Sequence, residues 1–599
     1  MINSRKACIN RYLTKKASEE KTRTKKEDFN MKKKFLASAL AASMVGTMFA
    51  SMPAFAEEES SSAAAEEVTS AAAEEESSNA AAEEVTSAAA EATTGEVPNY
   101  DDVWAEKWAD VDTSEHVVIN YMTPGDAPTN DATQKMLDEL NAILTEKVNA
   151  ELQIYYIGWT DCLSNYNLTL ARMDGSVDLV GTSTDWLDAW PNAKNGAFLE
   201  LDEEMLAKYA PVTYETVPQE DWDLCKYNDN IYLMPEDNYA QWTNHGFAYR
   251  LDFAKLAGLE NGVHSWEDMT TYFKYVCEHK DELGIVTPWD SDGTAYATMA
   301  GGWVSSHSDF VAIDGLAAAA LWGGTKDDPY TIVSPFYTDA DMMVEFAKTM
   351  KEWDEMGVWK TDVLNNTSSD NREDFKIGKT AAEQHHTQTW TDLVSKTPEN
   401  VPGAEVGFFW FGEEEKNVTA LNITHGAMAV SYGSENPERA LMVYDLLRND
   451  AECYDLINYG QKGVQWDVND EGLRITPESY NSDTDGITTN FWWGRNDLLE
   501  IRDATKDWDK IDVMYKELED ASIGYPYGKF VANVDDIQSY INNIGEVNTN
   551  YMKQIASGKY TGTAEEIVAE YQQALKDAGM DIVIEELQKQ LTEVYGDAE

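Results

Sequence analysis

From residue 116 onward, short apolar runs alternate with stretches whose apolar residues recur every three or four positions. His116-Val-Val-Ile-Asn-Tyr-Met reads as a buried strand closed by a Thr-Pro-Gly turn. A helix is predicted from about Asp131 to Val148, with Met136, Leu137, Leu140, Leu144 and Val148 at helical spacing. LQIYYIG at 152–158 reads as a second strand, 163–173 as a helix, and Val177-Asp-Leu-Val-Gly-Thr as a third strand. This alternation predicts a parallel sheet with crossover helices. Ligands of such sheets sit beyond the carboxyl ends of the strands. The segments there are Tyr121–Asn130, Trp159–Asp161 and Ser183–Trp190, and two of the three carry tryptophan.

The pattern continues through the rest of the chain. Strands are predicted at Asp229-NIYLMP, Gly284-IVTPW, Gly378-KTAAEQHH, Val406-GFFWF and Ala427–Ser431. Tyr249-RLDFAKLAGL reads as a strand end running into a helix. Ser265 is placed as an N-cap with Asp268 at the capping-box position, and 340–356 as an amphipathic helix. Asn436 and Pro437 are placed at N-cap and N1 of a helix with Leu441, Val443, Leu446 and Leu447 on its apolar face.

The first hundred residues have a different pattern. Met31-Lys-Lys-Lys, an apolar run from Phe35 to Ala50 and Ala54-Phe55-Ala56 form a secretory signal peptide at 31–56. Residues 1–30 then read as an upstream extension, with Met31 as the true start. No cysteine stands near the cleavage site to accept a lipid, because Cys8 precedes the signal and Cys162 lies far beyond it. Residues 57–98 are low-complexity, with AAAEEVTSAAAE at 63–74 and again at 80–91. They hold 12 Glu and no Lys or Arg. Such a segment lacks the apolar groups to offset chain-ordering entropy. It reads as a disordered acidic tether or as a leader remnant.

Charge narrows the functional classes. The 599 residues carry 46 Lys+Arg against 108 Asp+Glu, a net charge of −62. Phosphate binding needs clustered cations, so nucleic acid is excluded as a partner and anionic lipid is disfavoured. From residue 99 on, 34 basic residues face 92 acidic ones. That stretch also holds every one of the 19 tryptophans. Cys162, Cys225, Cys277 and Cys453 follow the leader and are compatible with free thiols or with two disulfides.

Four stretches carry a resemblance. They are the opening strand–helix–strand; NDNIYLMPEDN followed by FAYRLDFAKLAGL; SENPERALMVYDLLRNDAECYDLINYGQKGVQWDVNDEG; and YQQALKDAGMDIVIEELQKQL from Tyr571. In their order they resemble the bacterial extracellular solute-binding proteins of family 1, which bind sugars and oligosaccharides. The resemblance spans about residues 116–595. It implies an α/β, two-lobe periplasmic-binding-protein (type II) fold with a hinge and an interlobe cleft. Lobe one would take approximately 116–235 plus a returning segment. Lobe two would take approximately 250–420 plus the C-terminal helices. The resemblance further implies a secreted or cell-surface monomer without cofactor, delivering a carbohydrate to the permease subunits of an ABC importer rather than catalysing a reaction. Many Gram-positive members are lipoproteins, and here the lipid-bearing cysteine is absent.

Cleft chemistry can be argued from the ligand. Sugars present apolar C–H faces, which Trp and Tyr cover, and hydroxyls, which polar side chains take. Loop placement after strands nominates Trp159, Asp161, Asp185 and Trp186 from lobe one, and Tyr239 and Trp242 after the NIYLMP strand. Trp289, Trp303, His386, Trp390, Trp410 and Trp492 are the candidates from lobe two or the hinge. Trp266, Trp353, Trp359 and Trp466 are assigned to packing, and Trp104 and Trp108 to an N-terminal docking segment. Asp467, Asn469, Glu471 and Glu478 approximate a calcium loop, but Arg474 stands at an apolar position of that motif. No zinc-spaced cluster accompanies His385-His386. A glycosidase needs two carboxylates at a fixed separation, which a count of acids does not diagnose. A secreted glycosidase and a glycan-binding adhesin remain the alternatives.

Overall fold

The computed structural model describes residues 98–236, 245–291, 295–316, 320–366 and 370–596. The leader, the low-complexity segment up to residue 97, and Tyr239 and Trp242 lie outside the described residues. Eight strands organise the molecule: β1 (Val117–Pro124), β2 (Ala150–Ile157), β3 (Leu179–Thr182), β4 (Met234–Pro235), β5 (His245–Arg250), β6 (Ala382–His386), β7 (Val406–Trp410) and β8 (Ala427–Val430). The helices used below are α1 (Asp101–Lys107), α2 (Ala132–Val148), α3 (Cys162–Arg172), α4 (Trp266–Leu283), α5 (Tyr296–His307), α6 (Ala340–Met356), α7 (Thr387–Asn400), α8 (Pro437–Asn449), α9 (Gln538–Ala556), α10 (Ala564–Asp577) and α11 (Met580–Tyr595).

Lobe one is built on a five-stranded sheet in the order β2-β1-β3-β8-β4. β1 pairs in parallel with β2 from Val117↔Ala150 to Pro124↔Ile157, and with β3 at Tyr121↔Leu179. β8 returns from far along the chain and pairs antiparallel with β3 at Ala427↔Thr182. The sheet is therefore mixed, not parallel throughout. The predicted face of α2, from Met136 to Val148, is buried as expected. α8 begins with Pro437 at its first turn and buries Leu441, Val443, Leu446 and Leu447.

Lobe two carries a smaller antiparallel sheet in the order β6-β5-β7. Both faces of this sheet are covered. Phe247, Tyr249 and Phe409 face one core, built with α4, α5, α6 and the three C-terminal helices α9, α10 and α11. Ala248, Phe408 and Trp410 face another, closed by α7 and the helix around Ile511–Leu518. The period of two along each strand sends alternate side chains to opposite cores. That explains the continuous apolar run GFFWF.

Two predicted strands differ. Ile285–Trp289 forms no strand, because Pro288 has no N–H to donate to a ladder. Its carbonyl instead accepts from both Ala381 and Ala382. The NIYLMP run splits, with Asn230–Ile231 pairing with Lys226–Tyr227 and Met234–Pro235 joining β8.

Among the described residues, three passages join the lobes. β4 belongs to the lobe-one sheet and β5 to the lobe-two sheet, so the first lies between these strands. The second is 420–426, since Thr419 pairs with Ile523 in lobe two and Ala427 with Thr182 in lobe one. The third follows Trp493, which packs in the lobe-one core, and ends before Ile511, which packs in lobe two.

α1 docks on lobe one. Trp104 is buried, stacks on Trp108 at 5.9 Å, and donates from Nε1 to Asp445 at 2.7 Å. Asp445 also accepts from the backbone of Val212 and Thr213 and from the Thr213 hydroxyl. Burial pushes its carboxyl up, against these hydrogen bonds. Replacing Trp104 with Phe keeps the ring but removes one donor from a buried carboxylate. The unfolding free energy in urea should fall by about 1–3 kcal/mol for Trp104→Phe and by about 3–5 kcal/mol for Trp104→Ala. Unchanged urea midpoints would show that the docking contributes nothing.

Candidate functional site

The C-terminal ends of β1, β2 and β3 converge at the passages between lobes. The loop after β2 carries Trp159, whose backbone N–H donates to Asp126 Oδ1 at 3.1 Å, tying it to the loop after β1. Asp161 follows in a left-handed conformation, φ 53°, at the start of α3, and is exposed. The loop after β3 carries Asp185 and Trp186. Residues 487–494 cross the strand ends: Asn490 Nδ2 donates to the Pro124 carbonyl at 2.9 Å and Trp493 Nε1 to Thr123 Oγ1 at 3.3 Å.

These loops assemble a tryptophan platform. Trp159 stacks against Trp186 at 6.5 Å and 25°, and against Trp492 at 6.4 Å and 21°. Trp159 is 50% and Trp186 37% exposed, large values for such side chains. Trp493 lies beneath, fully buried, 6.0 Å from Trp186. It fits because residue 181 is glycine: a Cβ there would come within 2.1 Å of its Nε1.

Polar groups from both lobes meet beside the platform. Asp185 accepts from Ser183 Oγ and lies 3.0 Å from His425 Nδ1, on the second passage. Burial works to raise the Asp185 carboxyl, but the His425 ring and the hydrogen bonds from His425 and Ser183 outweigh it and hold it below its ordinary value. Asp314, from lobe two, receives the opposite treatment. Burial, then the neighbouring Asp185 charge, push it up to about 7. The Asp314 backbone N–H donates to Tyr525 Oη at 2.9 Å.

Three imidazoles cluster in lobe two. His245 opens β5, and His385 and His386 end β6, with His386 opposite His245. Their ring centroids lie 4.2–5.9 Å apart. Burial lowers His245 to about 4 and His386 to about 3, and burial with neighbouring positive groups lowers His385 strongly.

Of the candidates drawn from the sequence, the structure brings together Trp159, Trp186 and Trp492, with Asp161 and Asp185 in the same loops, and sets His386 in the lobe-two imidazole cluster. It places four others elsewhere. Trp289 packs edge-on to Phe247 at 5.0 Å, Trp303 against Trp266 at 5.2 Å, and Trp390 against Phe408 at 5.8 Å. Trp410 alternates with Phe409 along β7 and is turned into the third core. All four are buried in lobe-two cores. Trp266, Trp353, Trp359 and Trp466 are buried, as assigned. His245, Asp314, His425 and Tyr525 escaped sequence reasoning, since each is isolated in its segment. Only topology brings them to one place.

The calcium-like loop is a tight hairpin. Asn469 Oδ1 accepts from the backbone of Glu471 and Leu473, and Asp467 Oδ1 from that of Val468. Among the described residues no group of three or more His, Cys, Asp or Glu is placed to hold a metal ion. Cys162, Cys225, Cys277 and Cys453 are free thiols.

Two lobes, each on its own sheet, joined by chain passages beside an aromatic cleft, are the fold of the extracellular solute-binding proteins. Comparison with known proteins agrees. A carbohydrate ABC transporter substrate-binding protein of Streptococcus pneumoniae serotype 4 is 24% identical over 80% of this chain and 92% of its own length. The N-glycan transport solute binding protein of Streptococcus pneumoniae superposes with a TM-score of 0.62 at 20% identity, covering 81% of this chain and 100% of that one. Its complex with Man1GlcNAc gives 0.60 at 21% identity, over 80% and 100%. An HMO-binding, ABC-transporter-associated solute-binding protein of Bifidobacterium longum infantis gives 0.56 at 14% identity, over 80% and 99%. Residues 526–595 match the family model described as a domain of unknown function, DUF3502.

The lowered imidazoles predict an acid-sensitive fold. Above pH 6.5 the rings are neutral in both folded and unfolded chains and contribute no pH dependence. As pH falls from 6.5 toward 4 and 3, the unfolded chain takes up protons that His245 and His386 refuse in the folded protein. Stability is therefore lost over that window. Urea midpoints measured from pH 7.5 to 4.5 should fall less steeply in His386→Asn, which keeps a helix-capping acceptor. Parallel slopes would refute the burial of this ring.

Proposed function

We propose that this protein is an extracellular solute-binding protein that closes two lobes on an oligosaccharide and hands it to an ABC importer. The observation that carries this reading is the platform of Trp159, Trp186 and Trp492, near-parallel, partly exposed and set at the strand ends of lobe one. Rings so arranged cover the C–H faces of successive sugars. Asp161 and Asp185 then accept from hydroxyls at the rim. Ligand binding would favour the closed arrangement, which the importer's permease subunits recognise. The carbohydrate role named for the pneumococcal relative supports the ligand class, and so do the N-glycan and HMO ligands of the structural neighbours. The protein acts as a monomer outside the cell. Among the described residues no helix is long and apolar enough to cross a membrane.

Asp185 and Asp314 differ in protonation, as do the acid and base of a hydrolase. The curated relative and the structural neighbours are binding components of transporters, which favours binding without turnover. Calorimetry with a panel of oligosaccharides, followed by chromatography of each mixture, tests both readings. The expected result is nanomolar-to-micromolar binding with no product. Trp159→Ala, Trp186→Ala and Trp492→Ala should each weaken binding about 10- to 100-fold. Tight binding of an amino acid or peptide and of no glycan would overturn the ligand class.

A further inference from the structure

We propose that residues Tyr525–Asp535 form a strap, anchored in lobe two and closed on lobe one by Lys194, that lets go each time the cleft opens. The inference rests on the reading above only in that the two lobes move against each other, and holds whether or not the ligand is a sugar.

Both ends of the strap are fixed to lobe two. The Asp314 backbone N–H donates to Tyr525 Oη at 2.9 Å, and Tyr527 Oη donates to the Pro329 carbonyl at 2.6 Å. Tyr527 lies against Gly323, where a Cβ would collide with its hydroxyl. The Lys529 backbone N–H donates to Tyr595 Oη at 3.2 Å. At the far end one side-chain amide of α11 grips the Asn533 backbone twice. The Asn533 N–H donates to Gln590 Oε1 at 2.7 Å, and Gln590 Nε2 donates to the Asn533 carbonyl at 2.8 Å. Tyr527, Phe530 and Ile537 are buried in the lobe-two core. The strap backbone therefore moves with lobe two.

Its outer side faces lobe one. Gly528 runs so close to the helix Gln219–Leu224 that a Cβ would stand 2.8 Å from Leu224 Cδ2. Val531 packs against the lobe-one core. Lys194 reaches across from lobe one: its Nζ donates to Asn533 Oδ1 at 2.7 Å and to Asp535 Oδ1 at 2.9 Å. Lys194 ends the helix Ala189–Lys194, which begins three residues after Trp186. The strap thus holds the element that carries part of the platform. The hold is light. The Asp535 side chain is 71% exposed, and a pair so open to water is weak and screened by salt. A permanent interface between domains buries a large apolar area, whereas small polar ones leave the domains free to move. A light grip suits a contact made and broken as the lobes part.

Single-molecule energy transfer in the full chain without ligand tests the strap. Dyes carried by azidophenylalanine in place of Glu146 on α2 and Glu352 on α6, both exposed, report the separation of the lobes. At low salt Lys194→Glu should raise the open, low-transfer fraction at least about threefold. Adding Asp535→Lys should restore the starting distribution. Raising the salt to about 1 M should open the natural chain further than it opens Lys194→Met. Unchanged transfer in Lys194→Glu, no restoration by Asp535→Lys, or equal salt responses would overturn the strap. A shift in Lys194→Glu with no change of transfer on adding any glycan of the calorimetric panel would leave the strap standing and overturn ligand-driven closure.

Discussion

The contact of Trp493 with the bare backbone of Gly181 governs the geometry of the cleft. A buried indole sits where a side chain on β3 would otherwise stand. Its carbonyl accepts from Tyr444 Oη and its Nε1 donates to Thr123. The returning segment is thus pinned across the ends of strands that precede it by more than three hundred residues. Trp492 is carried to the cleft because its neighbour is anchored, and Trp159 and Trp186 stack in the register that this anchoring sets.

The rest of the tryptophan inventory follows from sheet coverage. Lobe two has a three-stranded sheet with a hydrophobic layer on each face, so it consumes aromatic side chains on both sides of β5 and β7. Lobe one buries Trp104, Trp190, Trp222 and Trp493 in its core but sets Trp159, Trp186 and Trp492 at its strand ends. The two lobes therefore differ in what they gather: three stacked indoles at the strand ends of lobe one, and an imidazole cluster and a carboxyl of raised pKa in lobe two.

Much of the architecture was legible in the sequence. The opening strands, α2, α6 and the cap at Ser265 follow from local periodicity and short-range hydrogen bonds, and the structure reproduces them. The platform was half legible: a tryptophan just past a strand end is visible in the sequence, and Trp159 and Trp186 qualify. Trp410 met the same criterion, and so did Trp289 at the end of a run read as a strand, yet both are buried. Whether a loop aromatic turns inward depends on a second layer that the strand's own residues do not announce. His425, His245 and Asp314 could not be found this way. Their meeting is a property of where three separate passages cross, and no local pattern encodes it.

The docking of α1 has a mechanical side. Trp104, Trp108, Lys107 and Asp101 bind this helix to Asp445, Lys208, Glu215 and Lys147, all within lobe one. Among the described residues, none of these contacts reaches lobe two. A pull transmitted along the N-terminal segment would load one lobe only, and the other would swing as an unloaded arm. Relative motion of the two lobes would then be independent of tension on the N-terminal segment.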